Sequence, residues 1–398
     1  MTRPIMLKPL AILTIISSCT AAAFHLQEPK VLPSLDSSTG VGVTYIPMTD
    51  PNRLDPFTNY TQQRRVMISL YYPAQPSPPT NFLEQRPKAD DWHHITPYMP
   101  PTTAALYDEL VTPFGFPTNT FEQLSTLCQQ NAPLQDDSMA HPLLIFSPGG
   151  GAPRFFYSTF LEDLARRGYV VAAIDHPHDA LVVEFPDGQA VIGLNKSLTR
   201  DEVELLITVR AQDISFVLDE LSRQSPSSAK IQINTTDVVA FGHSLGGGTI
   251  AEAALNDTRI KGGINVDGRM FGSMEKPNTT ISKPILQFVS EASSADPYWR
   301  WDEEWARLSG WKLELVLNGA AHSTFSDMPL VAEVLDVRKK LGEDGKELLG
   351  KLDGIRGLEI VVEYVSAFAE FVLTGKKGSL LGNNGDERFP EVRVRRHT

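Results

Sequence analysis

Cysteine is nearly missing from this 398-residue chain, which has two thiols, Cys19 and Cys128. Positive charge is in deficit as well: 36 Lys+Arg stand against 48 Asp+Glu, a formal net charge of −12. No apolar run reaches the roughly 18–20 residues that a membrane-spanning helix needs. Each shortage excludes a class of protein. Two cysteines cannot build a disulfide scaffold, an acidic chain is a poor partner for nucleic-acid phosphates, and the apolar runs are too short for a multi-span membrane protein. What remains is globular in character, with 41% hydrophobic and 21% charged residues, enough to bury a large core.

The N-terminus has a targeting pattern. Arg3 and Lys8 precede the apolar run Leu10 to Ile16, and Ala21-Ala22-Ala23 follow. A basic start, a short apolar core and small residues at Ala21 and Ala23 predict a secretory signal peptide over residues 1–23. Its removal would take Cys19 with it and leave Cys128 without an intramolecular partner. Five N-x-[ST] tripeptides, at Asn59, Asn195, Asn234, Asn256 and Asn278, agree with secretion as a glycoprotein.

Beyond the leader, residues 24–374 are expected to form the catalytic domain. Short Val-, Ile- and Leu-rich runs at Pro142 to Phe146, Tyr169 to Ile174, Val238 to Phe241, Gly263 to Val266, Ile285 to Val289 and Leu313 to Leu317 read as buried strands. Helical spacing fills the gaps at Ser158 to Arg167, Glu202 to Arg223, Gly246 to Leu255 and Gly357 to Leu373. Alternation of this kind predicts an α/β fold: a mostly parallel central sheet with helices on both faces. Gly42 to Pro47 and Val66 to Tyr72 read as an antiparallel pair covering one sheet edge. Residues 73–139, rich in proline, break the pattern. They are expected to form an irregular insertion with one or two short helices, either walling or covering a site or running over the surface. The Gly-, Asn- and Arg-rich tail, 375–398, is expected to be flexible.

The sharpest local signal is Gly242-His243-Ser244-Leu245-Gly246-Gly247-Gly248, set between a strand and a helix. A serine on such a turn is forced into strained dihedrals, and the positions two before and two after it must be very small. Gly242 and Gly246 meet that need. The helix start behind the serine also presents the Leu245 N–H to a developing oxyanion. A rival pattern, Gly246-x-Gly248-x-x-Ala251 with Asp267 further on, matches a loose dinucleotide fingerprint. Its glycines begin five residues past the strand and fall inside the helix, where they serve close helix–strand packing instead.

Serine needs a histidine base, and the base needs a carboxylate to fix its tautomer. Downstream of Ser244 stand two histidines, His322 in a loop after a strand and His397 near the C-terminus. His322 is the better placed. For the acid, Asp267 ends the strand Gly263 to Val266 at the carboxyl edge of the sheet, where open α/β sheets bind ligands. Asp257, Asp296 and Asp327 are the less well placed alternatives. A second oxyanion donor is expected from Phe146-Ser147-Pro148-Gly149-Gly150-Gly151-Ala152, with the Gly150 N–H the donor. Asp175-His176-Pro177-His178 lacks a third ligand at sensible spacing, so no metal and no cofactor are expected.

The elbow Gly242-His243-Ser244-x-Gly246-Gly247, the Phe146-Ser147-x-Gly149-x-Gly151-Ala152 loop, the long helix before the elbow and the order Ser244, Asp267, His322 resemble the plasma-type platelet-activating factor acetylhydrolases. The likeness runs over roughly 42–373. It implies the α/β-hydrolase fold and a calcium-independent phospholipase A2 activity. It also implies Ser244 as nucleophile, Asp267 as acid, His322 as base, and the Leu245 and Gly150 amides as oxyanion hole. Pro148 stands where the family often has a histidine, and Gly150 replaces a bulkier residue, which would widen the acyl pocket.

The expected activity is therefore a secreted serine esterase acting on a short or oxidised sn-2 acyl ester of a phospholipid. The alternatives are a general carboxylesterase or cutinase-like polyesterase, peptidase action by the same triad, and a catalytically dead binding module. The expected partner is a phospholipid or other small ester, with no nucleic acid. Any contact with a lipid surface would rest on apolar side chains or zwitterionic head groups. Two aromatic segments are candidates for it: Tyr98 to Phe116 and the Trp299, Trp301, Trp305 cluster, for which packing is the competing role.

Overall fold

The computed structural model describes residues 29–75, 95–135, 140–194, 196–223 and 231–398. The leader, His93-His94 and Asn195 lie outside these residues. Nine strands carry the main sheet: β1 (Gly40–Leu54), β2 (Gln63–Ala74), β3 (His141–Ser147), β4 (Val170–Asp175), β5 (Ile233–His243), β6 (Ile260–Val266), β7 (Ile285–Ser290), β8 (Lys312–Leu317) and β9 (Val392–His397). Among the described residues their order is β9-β8-β7-β6-β5-β3-β4-β2-β1, with Gln129–Gln130 beyond β1. The run from β4 to β8 is parallel throughout. These are the six strands expected from the apolar runs. The antiparallel pair β1–β2 covers one edge, as expected.

Alternation along the inner strands explains why their sequences are apolar without interruption. Leu144 and Phe146 of β3, Val171 and Ala173 of β4, and Val239 and Phe241 of β5 enter one core. Leu143, Ile145, Val170, Ala172, Ile174, Val238 and Ala240 enter the other. A parallel strand buried on both faces has no polar side to show. The first core is closed by α2 (Ser158–Arg166) and α5 (Gly354–Thr374), through Phe160, Leu161, Leu164, Leu358 and Val362. The second is closed by α3 (Arg200–Arg223) and α4 (Leu245–Asn256), through Ile214, Val217, Leu218, Ile250 and Ala253. Helix α3 starts where Thr199 and Glu202 form a capping box: Thr199 N–H donates to Glu202 at 2.8 Å, and Glu202 N–H to Thr199 Oγ1 at 3.4 Å.

Within the insertion, the described residues hold α1 (Pro101–Val111) and two strands, Thr96–Pro97 and Leu124–Thr126, that form a small sheet with Lys30–Val31. Tyr98, Tyr107 and Phe116 are buried in the first core, so this segment presents none of those rings as an interfacial face. The 375–398 tail departs from the flexible segment expected. Val392–His397 pairs antiparallel with β8 and closes the second edge of the sheet. Arg395 and Arg396 lie 3.1 and 2.7 Å from the carboxylate of Glu314, a fully buried residue of β8. The basic residues that looked like a solvated tail neutralise a charge in the neighbouring strand.

Candidate active site

The chain leaves the sheet at the carboxyl end of β5. Gly242 is paired with Ser147 of β3 on one side and Asn265 of β6 on the other. Ser244 then turns directly into α4 at φ 56° and ψ −121°. A non-glycine residue held there costs about 1–3 kcal/mol. The Ser244 N–H donates to Val266 O at 2.8 Å, and its own carbonyl accepts the Gly247 N–H at 2.9 Å. A Cβ on Gly246 would stand 2.0 Å from Ser147 O, and one on Gly242 2.5 Å from the Gly246 carbonyl carbon. Both positions are closed to any side chain. Gly247 and Gly248 press against Asn265 and Arg269, the close packing expected of them in place of a dinucleotide loop.

Asp267, Ser244 and His322 come from the carboxyl ends of β6, β5 and β8. His322 Nε2 lies 2.9 Å from Ser244 Oγ, and His322 Nδ1 lies 2.7 Å from Asp267 Oδ2. The two ends of this line differ in exposure. Asp267 is fully buried, whereas Ser244 and His322 are half-buried and reachable. Burial pushes the Asp267 carboxyl upward. Its hydrogen bond to His322, the Ser293 hydroxyl and the Ser290 N–H at 2.8 Å outweigh that and hold it below the usual carboxylate range. An ionised carboxylate therefore faces the Nδ1–H, fixing the tautomer that leaves Nε2 free to accept the serine proton.

The loop after β3 runs beside this line. A Cβ on Gly150 would lie 3.3 Å from Leu245 Cδ2, so the glycine loop packs against the elbow residue that follows Ser244. Gly149 N–H donates to Tyr157 Oη at 3.1 Å, and Gly151 N–H to Asp179 Oδ1 at 3.2 Å. Among the described residues neither the Gly150 nor the Leu245 N–H has a protein acceptor. Unpaired donors at the elbow and on the loop packed against it can take a negatively charged oxygen.

His243, the residue before the serine, faces inward. Its Nδ1 accepts from Tyr157 Oη at 2.9 Å, and its Nε2–H donates to the His322 carbonyl at 2.9 Å. Burial, then the neighbouring His322, lowers its pKa to about 3, so it stays neutral.

Other singled-out residues lie elsewhere. His397 pairs with Leu313 at the opposite end of β8 from the His322 loop. Asp257 binds Arg259 and Ser215, Asp296 caps a short turn at Tyr298, and Asp327 accepts from Tyr98 and Thr159. Trp301 is buried and Trp305 is flanked by Lys312 and Arg396, the packing role of that cluster. Trp299 is different: its ring sits 5.3 Å from that of His322 and forms one side of the site.

Several residues escape sequence reasoning. Tyr157, Ser290 and Ser293 carry no local pattern. Arg210 does: it stands in the apolar stripe of α3, between Ile207 and Ile214, where an unpaired cation would be costly. Ser147, His176 and Asp213 form a second Ser-His-Asp line, at 3.1 and 2.9 Å. All three are sealed in the interior, and burial holds His176 at about 4, so this line is a framework and not a reactive site. Among the described residues no cluster of three or more His, Cys, Asp or Glu is arranged to hold a metal ion.

Comparison with known proteins shows the family and the fold of the chain. The family described as platelet-activating factor acetylhydrolase, isoform II, matches residues 54–191 and 211–384. A probable 1-alkyl-2-acetylglycerophosphocholine esterase of Arthroderma benhamiae is 29% identical over 402 residues, covering 95% of this chain and 98% of the relative. The platelet-activating factor acetylhydrolase of Cavia porcellus is 25% identical over 66% of each chain. Among solved structures, a ferulic acid esterase from Streptomyces cinnamoneus superimposes with a TM-score of 0.75 at 27% identity, covering 92% of this chain and all of the other. With the family matched over most of its length and the fold shared with an esterase, this chain belongs to the isoform II platelet-activating factor acetylhydrolase family, carboxylic ester hydrolases of the α/β-hydrolase fold.

Proposed function

We propose that the protein is a 1-alkyl-2-acetylglycerophosphocholine esterase that cleaves short or oxidised sn-2 acyl chains through Ser244, His322 and Asp267. The observation that carries this is the continuous line Asp267–His322–Ser244, sealed at the carboxylate and open at the serine. In the first step Ser244 Oγ attacks the ester carbonyl while His322 Nε2 takes its proton. The carbonyl oxygen becomes an anion held by the Leu245 and Gly150 N–H groups. Collapse of that intermediate breaks the ester bond; His322 returns the proton to the departing lyso-lipid oxygen. Water, deprotonated by His322, then releases the acyl group and restores Ser244.

The substrate class is supported by family membership and by the printed activity of the Arthroderma relative. A second reading, hydrolysis of a soluble or polymeric ester, is favoured by the structural likeness to a ferulic acid esterase. Hydrolysis of 2-acetyl and long-chain 2-acyl phosphatidylcholines, compared with p-nitrophenyl butyrate in EDTA, separates them. Preferential release of acetate supports the phospholipid assignment, and turnover of the soluble ester alone overturns it. Secretion is proposed on the leader at residues 1–23. It is tested by the N-terminus of the exported protein, expected at Phe24.

A further inference from the structure

An oxyanion hole made of glycine amides has no side chain of its own to hold its peptide planes. Something must hold the loop Pro148 to Gly151 so that one N–H faces the site. Arg210 of α3 reaches it from behind: Nη1 donates to Pro148 O at 2.9 Å and Nη2 to Gly149 O at 3.3 Å. The guanidinium is 1% exposed. Its Nε forms an ion pair at 2.5 Å with Asp179 Oδ2, and the other oxygen of Asp179 takes the Gly151 N–H.

The loop's polar groups can be followed in order. Pro148 has no N–H, and its carbonyl is bound to Arg210. Gly149 N–H goes to Tyr157, Gly149 O to Arg210 and to the Ala152 N–H at 3.2 Å, and Gly151 N–H to Asp179. The Gly150 N–H is left over. In a trans peptide the carbonyl and the following N–H point in opposite directions. Drawing Gly149 O toward α3 therefore turns the Gly150 N–H away from α3.

We infer that Arg210, locked by Asp179, is a positioning residue that aims the Gly150 N–H at the oxyanion. A cation on the carbonyl side also polarises the amide and strengthens its N–H as a donor. Arg210 is not a phosphate anchor for the lipid, because it is sealed in the interior, its Nη groups donate to the loop carbonyls and its charge is paired with Asp179. This inference rests on the assignment of Ser244 and Gly150 proposed above.

The test uses full-length wild type, Arg210→Lys, Asp179→Asn and Ser244→Ala with p-nitrophenyl butyrate. Active sites are counted by complete reaction with a fluorophosphonate, and phenylboronic acid serves as the tetrahedral mimic. Lysine reaches fewer carbonyls, so Arg210→Lys is expected to lower kcat per titrated site about 10- to 100-fold, with KM within about threefold. Boronate affinity should fall by a similar factor. Asp179→Asn should act in the same sense by loosening the guanidinium, and it decides the matter if Arg210→Lys does not fold. Unchanged kcat per site and unchanged boronate affinity in the folded variants, whatever the thermal midpoint, would overturn the positioning role. Full activity in Ser244→Ala would instead remove the underlying assignment.

Discussion

Tyr157 and His243 share a hydrogen bond of 2.9 Å that ties the two halves of the site together. The tyrosine hydroxyl also takes the Gly149 N–H of the oxyanion loop, and the histidine's other nitrogen holds the His322 backbone. The loop that would receive the negative charge and the loop that carries the base are thus linked through one neutral imidazole. Burial removes any competing protonation of that imidazole at working pH.

Removing this link is expected to weaken both halves. Tyr157→Phe leaves the Gly149 N–H and His243 Nδ1 without partners in a buried setting, at about 1–3 kcal/mol of stability. Loosened geometry should lower kcat by about 10-fold. Thermal unfolding and steady-state kinetics on one preparation check both, and an unchanged kcat would mean that the link does not serve the reaction.

Acid identity is separable. Asp267→Asn should lower kcat about 10³- to 10⁴-fold, because an amide favours the wrong imidazole tautomer. Asp327 is held well above the usual carboxylate range, first by burial, and its oxygens accept from Tyr98 and Thr159. Asp327→Asn should leave kcat within about twofold. Kinetics of the two variants side by side decide between them.

The buried histidines set a pH dependence of stability. Below its ordinary value of 6.5, His243 takes a proton in the unfolded chain but not in the folded one until about pH 3, and His176 behaves alike down to about 4. The unfolded state then binds more protons, so stability falls as pH drops from 6.5, by about 1.4 kcal/mol per pH unit for each histidine. Glu162, pushed up to about 7 chiefly by burial, acts in the opposite sense: its contribution is present below 4.5 and lost as pH rises through 7. The difference between wild type and His243→Gln isolates the histidine. In denaturant titrations at pH 7, 6, 5 and 4.5 the variant should lose stability less steeply.

Glycines near the serine are not equivalent. Gly246→Ala places a Cβ 2.0 Å from the Ser147 carbonyl, which is rigid backbone in β3, and should abolish folding or the elbow. Gly150→Ala meets a flexible leucine tip at 3.3 Å and should change the thermal midpoint little. Equal loss of soluble protein in both variants would contradict the packing described here.

The parallel strands were legible in sequence because each is buried on both faces and so reads as an uninterrupted apolar run. The elbow was legible because its steric demand falls on neighbours in sequence, Gly242 and Gly246. Asp267 and His322 could be found by chain order, since both follow strands that end at one sheet edge. Tyr157 could not, because its partner His243 lies 86 positions away and no periodicity marks it. The final strand was hidden because Arg395 and Arg396 look solvated until Glu314 is known to face them.

The most direct test of the account is to trap the acyl-enzyme. Wild-type protein mixed with p-nitrophenyl acetate, quenched in acid and digested, should carry one acetyl group on Ser244 by peptide mass spectrometry, and Ser244→Ala should carry none and turn over no substrate. An acetyl group on another residue, or hydrolysis by Ser244→Ala at the wild-type rate, would contradict it.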